Sequence, residues 1–313
     1  MKWISWILWI AAAWMAAACH KELCYDHSHE TTMEVRFDWS LNPPEENPSM
    51  HLALLPTGEE QRDRVEQAFD DPAGGHIVLS RGRYHALAFN RDGDGIELYF
   101  DSYDGAYVTT STTDVVSAST FFGTKAAPLP SGSEGHSVRQ QPSLFYADTC
   151  SLFTVDMNHT SYLMRPKLLV DTIDVRVEGV KNLDYVVGMS AAISGLSAAV
   201  SLSRLEPLEE LCIVPMAVER IGSGTIGGSM LTFGRRVNEQ QEEQHTLTIY
   251  TMLDDGKKYY FNFDVTDQMT EESITPGHLE IDIPDLPIPE PIKEGGFHPE
   301  LSDWEEVVID IDM

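Results

Sequence analysis

The stretch Thr31-Thr32-Met33-Glu34-Val35-Arg36-Phe37-Asp38-Trp39 alternates without a break, with Met33, Val35, Phe37 and Trp39 on one side and Thr32, Glu34, Arg36 and Asp38 on the other. Successive side chains of an extended chain point to opposite faces, so a period of two predicts a strand with one face in a core and the other in water. Downstream, Asn42-Pro43-Pro44 and Asn47-Pro48 interrupt the chain before a second apolar run at 50–55. Gly74-Gly75 introduces 76–79, and Arg81-Gly82 turns the chain into 83–90, where Tyr84, Ala86 and Ala88 oppose His85, Leu87 and Phe89. These two runs read as a hairpin. Residues 96–100 and 106–110 are further strand candidates. Charged residues at 59–69 suit a helix, but Val65, Gln67 and Phe69 alternate, and a strand is the expectation. Short strands at such close intervals imply a β-sandwich.

The second half repeats this grammar. Residues 128–142, PLPSGSEGHSVRQQP, are almost devoid of apolar side chains and rich in turn formers, which predicts a surface loop or linker on the approach to a second domain. Strands are expected at 169–177, 183–193, 212–218 and 278–283. Residues 246–253 and 258–265 flank Asp254-Asp255-Gly256-Lys257, whose Asp-Gly step suits a tight hairpin turn because glycine accepts positive φ. Residues 284–291 carry too many prolines for a sheet interior and should run extended. The last run, 304–313, places Val307, Ile309, Ile311 and Met313 on one side and ends the chain on a strand. It is a candidate for donation to a partner, or for closing its own domain. A mature chain of about 295 residues exceeds what one core comfortably organises. The expected fold is therefore all-β, with antiparallel β-sandwich domains in tandem at 31–158 and 159–313.

The beginning of the chain has a different character. Lys2 precedes an unbroken apolar run from Trp3 to Ala18, which ends in Ala16-Ala17-Ala18-Cys19. A membrane-spanning helix needs roughly 20 apolar residues, and this run is shorter. It reads as a signal peptide over 1–18, cleaved between Ala18 and Cys19, with Cys19 as the lipid attachment residue and 19–30 as a tether. Ala16-Ala17-Ala18-Cys19 resembles the bacterial lipobox, although Ala16 stands where that motif usually has Leu. An ordinary secretory signal, cleaved nearby without acylation, is the alternative. One acyl chain binds membranes only marginally, so the several chains of a mature lipoprotein would be needed.

Charge narrows the partners. Lys plus Arg total 21 against 50 Asp plus Glu, a formal net charge of −29, which repels phosphate backbones and anionic headgroups. No nucleic acid is expected, and membrane contact should run through the lipid at Cys19. Once Cys19 is acylated, Cys24, Cys150 and Cys212 allow at most one intrachain disulfide, and the last two read as small buried apolar residues.

Three motifs invite chemistry and lose to plainer readings. Cys24, Asp26, His27 and His29 are metal-ligand types, but no distant Cys or His pair completes a tetrahedral set, and a polar tether explains them. Residues 222–227, Gly-Ser-Gly-Thr-Ile-Gly, match a dinucleotide fingerprint without the surrounding strand-helix-strand unit, so a turn or bulge is expected. Asp92-Gly93-Asp94-Gly95 lacks the later bidentate acid of a calcium loop and reads as a turn. No local hydrolase signature is present. Neither catalytic residues nor a metal nor a cofactor is expected.

Several segments together resemble one family. Cys24-Tyr25-Asp26-His27-Ser28-His29 just after the lipidated cysteine, Phe37-Asp38-Trp39, Arg81-Gly82-Arg83-Tyr84-His85-Ala86-Leu87 and the closing Trp304-Glu305-Glu306-Val307 look like a FimB-type fimbrial-anchor lipoprotein of Bacteroidota. The resemblance spans nearly the whole mature chain. It implies two transthyretin-like sandwiches, lipid attachment at the outer membrane with exposure at the cell surface, and fimbrial subunits as partners. A monomeric surface adhesin with a host-protein or glycan ligand is the alternative. The family supplies no catalytic residues to transfer.

Overall fold

The computed structural model describes residues 30–44, 48–58, 63–91, 93, 95–116, 126–157, 160–235, 243–270, 277–291 and 303–308. The alternation at 31–39 becomes β1 (Glu30–Phe37), with Met33 and Val35 fully buried and Phe37 nearly so. This strand occupies the middle of a three-stranded sheet. On one side β10 (Ser161–Met164) runs parallel to it, and on the other β4 (Gly74–Ser80) runs antiparallel. A five-stranded sheet packs against it in the order β11 (Lys167–Leu168), β9 (Tyr146–Val155), β5 (Gly82–Asn90), β2 (Met50–Pro56), β3 (Val65–Phe69). Met33, Val35, Leu52, Leu54, Tyr84 and Phe153 belong to their shared core.

One local expectation fails. The runs on either side of Arg81-Gly82 are not a hairpin, because β4 pairs with β1 in the first sheet whereas β5 pairs with β2 and β9 in the second. The turn carries the chain across the sandwich, and the Tyr84 hydroxyl donates to Ser80 O at 2.8 Å over that corner. Burial explains the separation. β4 alternates, with Ile77 and Leu79 inside, whereas Ala86 to Asn90 of β5 is buried without interruption. A strand covered on both faces needs a second core on its far side.

The second sandwich pairs a four-stranded with a six-stranded sheet. The first has the order β17 (Glu219–Gly222), β18 (Thr225–Thr232), β12 (Asp171–Val177), β21 (His278–Ile283). The second runs β22 (Trp304–Glu306), β20 (Lys258–Asp264), β19 (Thr246–Leu253), β13 (Val186–Ser197), β16 (Leu211–Ala217), β8 (Ser137–Val138). The Asp-Gly hairpin forms as expected between β19 and β20, with Gly256 at φ 84°. A 3-10 turn at Leu183–Tyr185 takes the start of the strand expected at 183–193. A five-residue helix, α1 (Thr266–Thr270), follows β20.

Between the sandwiches lies a sheet to which both halves of the chain contribute: β15 (Glu206–Pro207), β14 (Ala199–Ser201), β7 (Tyr107–Thr110), β6 (Ile96–Tyr99). Its Val108 and Val200 join Leu55, Leu87 and Phe89 in a common cluster, which is the second core that β5 requires. The segment 128–142 is likewise no free linker. It supplies β8 to the six-stranded sheet, buries Ser133, and accepts hydrogen bonds from Tyr250 Oη at Pro128 O (2.7 Å) and from Thr246 Oγ1 at Ser131 O (3.1 Å). Pairing also crosses position 158, since β10 and β11 both return to the N-terminal sheets before β12 starts the second sandwich.

Candidate functional site

Ala18 and Cys19, together with Cys24, Asp26, His27 and His29, lie outside the described residues, which begin at Glu30 with β1. The geometry just beyond them is fully specified. Glu34 N–H donates to Thr160 O at 2.8 Å, Phe37 N–H to Ala73 O at 3.0 Å and Asp38 N–H to Met164 O at 2.8 Å. The strand is thus bonded on both edges. Trp39, the last member of the alternating face, donates its indole N–H to Pro72 O at 2.7 Å and stands edge-on to Tyr146. Hydrogen bonds from Ser40 hold the Asp38 carboxyl below its ordinary pKa, and Arg165 at 3.2 Å adds to this.

At the other end of the chain, Trp304–Glu306 runs parallel to β20, in register with Lys258 to Tyr260. Val307 is half-buried against the second core, and its N–H donates to Tyr260 O at 3.0 Å. Trp304 stands edge-on to Tyr250 with ring centroids 5.5 Å apart. Lys257 Nζ meets Glu305 at 2.8 Å, and that hydrogen bond raises the lysine pKa. Ile309, Ile311 and Met313 lie outside the described residues.

The outer face of the four-stranded sheet carries a groove of about 590 Å³. Asp174 and Arg176 of β12, Gly227 and Ser229 of β18, Glu219 and Ile221 of β17, and Glu280 and Asp282 of β21 line it. His278 Nε2 lies 3.3 Å from Asp174 and 3.7 Å from Glu280, while Arg176 pairs with Glu178 at 2.8 Å. Sequence reading missed this groove. The parallel pairing of β12 with β21 sets Asp174 beside Glu280 and Arg176 beside Asp282, residues more than a hundred positions apart that no local pattern connects. The one local signal was the glycine-rich run at 222–227. Gly222 pairs with Thr225 at the turn between antiparallel β17 and β18, and Gly227 leaves the groove floor open.

The two described cysteines are both unbridged. Cys212 is buried in the second core, and desolvation pushes its thiol up to about 12. Cys150 is half-buried with its Sγ 2.6 Å from Tyr162 Oη, and burial raises the Tyr162 pKa. Among the described residues no group of three His, Cys, Asp or Glu is placed to hold a metal ion, and no helix is long and apolar enough to cross a membrane. Of the 92–95 turn, Asp92 and Asp94 lie outside the described residues.

The family model described as a domain of unknown function, DUF5119, matches residues 17–219. The chain belongs to this family. No curated protein matches it significantly. Among solved structures, this DUF5119 chain is similar to a "putative adhesin" from Bacteroides ovatus, with TM-score 0.66 and 16% identity over 88% of this chain and 98% of that one. Weaker likenesses, each with TM-score 0.48 over 82% of this chain and 90% of the other, reach two more proteins. One is the fimbrial anchor protein Mfa2 from Porphyromonas gingivalis, at 12% identity; the other, at 9%, is a Bacteroides thetaiotaomicron protein described as "putative polysaccharide binding". The Bacteroides ovatus match shows that the DUF5119 chain shares a whole fold with that protein.

Proposed function

We propose that this protein is a non-enzymatic outer-membrane lipoprotein, held by acyl chains on Cys19, that anchors or associates with a fimbrial polymer. The observation that carries this reading is the position of β1. A subunit inside a strand-exchanged polymer must offer its neighbour a vacant place in a sheet. Here β1 fills the middle of its sheet, is bonded on both sides, and contributes Met33, Val35 and Phe37 to the core. Ten residues, His20 to His29, separate it from Cys19. They span at most roughly 40 Å when extended. A strand so placed cannot be removed without opening the first sandwich, which suits a terminal, tethered unit better than a link within a polymer. The family resemblance at the sequence level points the same way.

Deleting the gene should release fimbriae into the medium or change their length, as seen by electron microscopy. Unchanged, cell-bound fimbriae would overturn the reading. A glycan-array signal from the soluble part, with no fimbrial subunit recovered by crosslinking, would replace it with a monomeric adhesin. Attachment has a separate check: Cys19→Ala should abolish palmitate labelling and shift the protein out of the membrane fraction.

A further inference from the structure

We propose that β1 is a force-bearing clamp, built so that tension between the tethered end and the second sandwich loads its hydrogen bonds in shear. The proposal rests on the Cys19 reading only for which end is pulled in the cell.

The two ends of β1 face opposite ways along the molecule. Its Glu30 end leads back toward Cys19. Its Phe37 end points to the junction between the sandwiches. There, Asp38 bonds Met164 and Arg165, and the chain beyond them passes through β11 to Val170, a member of the joining core, and into β12 at Asp171. Trp39 leans on Tyr146, next to Phe145 of the same core. The second sandwich is entered from that end, through Asp171 of β12. Its β13 ends at Ser197, feeding the joining sheet at Ala199, and starts at Val186 beside Leu253 and the Asp254 turn, so that turn marks the far end. In this connectivity a pull from Glu30 against Asp254 enters β1 at its Glu30 end and is taken up past its Phe37 end.

Ladder hydrogen bonds lie nearly across a strand, so an axial pull strains them together, whereas a sideways pull at one end breaks them in succession. β1 has seven residue pairs with β4, from Glu30↔Ser80 to Arg36↔Gly74. It has four more with β10, from Glu34↔Ser161 to Phe37↔Met164. The side chains add a ratchet. A slip of one residue would drive the whole buried face to the surface and bring the charged face inward. Met33 and Val35, both at 0% exposure, are the teeth that oppose it. A polar or glycine-rich strand in the same place would slide.

Single-molecule force spectroscopy on the full, unlipidated chain tests this by comparing two directions. With one handle ahead of the chain and the other at an introduced attachment on Asp254, β1 is sheared. With the second handle moved to Ser80, which pairs with Glu30, the same strand is peeled from one end. The shear geometry should need a several-fold higher force for β1 to leave. Equal forces in the two geometries would overturn the proposal, as would a first rupture in the second sandwich under shear. Val35→Ala should lower the shear force, while Met230→Ala, a core truncation in the second sandwich, should leave it unchanged even where the two variants lose equal thermal stability. A common fall in both would assign the resistance to overall stability and sink the clamp. Because the handles apply the load, a negative result on Cys19 acylation would leave these outcomes unaffected.

Discussion

At Gly228 the backbone of β16 passes so close to β18 that an added Cβ would collide with Ala217 O and lie 2.7 Å from Met216 Cε. Backbone cannot step aside as a flexible side chain can, so Gly228→Ala is expected to lower stability by about 1–3 kcal/mol. Urea unfolding should show the loss as a lower midpoint at unchanged m-value; an unmoved midpoint would mean that the sheets have more slack than their spacing implies. His245 makes a prediction of a different kind. It is only 3% exposed, and burial pushes its imidazole below the ordinary pKa, against a weaker opposing effect of its contact with Ser194 O at 3.3 Å. The unfolded chain therefore takes up the proton first as pH falls through about 6.5. Over that window the unfolded state binds more protons, so stability is present above it and declines below, until the folded imidazole itself titrates. His245→Asn should flatten the drop in Tm between about pH 7.5 and about pH 5.5. A drop as steep as that of the parent would place its origin elsewhere. Neither residue advertised itself in the sequence: Gly228 follows a glycine-rich run that reads as a turn, and His245 sits in a polar stretch.

Edges are where an element's environment shows most clearly. β21 is the outer strand of its sheet, and Asp282 turns its peptide groups away from β12. Gln268 of α1 answers both of them, its Nε2 donating to Asp282 O at 3.1 Å and its Oε1 accepting from Asp282 N–H at 2.8 Å. Fully buried Met269 roots the helix that delivers it. One side-chain amide thus stands in for a neighbouring strand at that position, a means of blunting an edge. Gln268→Ala should cost on the order of 1 kcal/mol, and hydrogen exchange should accelerate at the Asp282 amide more than at Ile281, which faces β12. Equal protection before and after the substitution would deny Gln268 this role. The same strand shows how far sequence reaches. A strand was expected at β21, alternation located β1 and β12, and the Asp-Gly step located the β19–β20 hairpin, because each is decided within a few residues. The Arg81-Gly82 turn looked equally local and misled. Turn chemistry fixes that a chain reverses, but which sheet receives the next strand depends on what covers it, and β5 is covered on both faces by residues from distant parts of the chain. The groove was illegible for the same reason, as four strands must assemble before Asp174, Glu219 and Glu280 share a surface.

For the whole molecule, the joining sheet decides how the sandwiches behave together. β6 and β7 come from the first half of the chain and β14 and β15 from the second, while β8 crosses to the second sandwich and β10 and β11 return to the first. Leu55, Leu87 and Phe89 on the far face of the five-stranded sheet are buried only by this arrangement. Cutting the chain at 158 would remove β10, the parallel partner of β1, and with it β14 and β15, uncovering that apolar face. Large contiguous apolar patches are sites of association. A fragment ending at 158 is therefore expected to bind a hydrophobic dye and to self-associate more than the full chain. In the intact protein the shared core should make unfolding a single cooperative transition, with calorimetric and van't Hoff enthalpies in agreement. Two resolved transitions, together with a well-folded and monomeric N-terminal fragment, would show that the joining sheet is a contact between independent domains and that tension at one end need not be carried through it to the other.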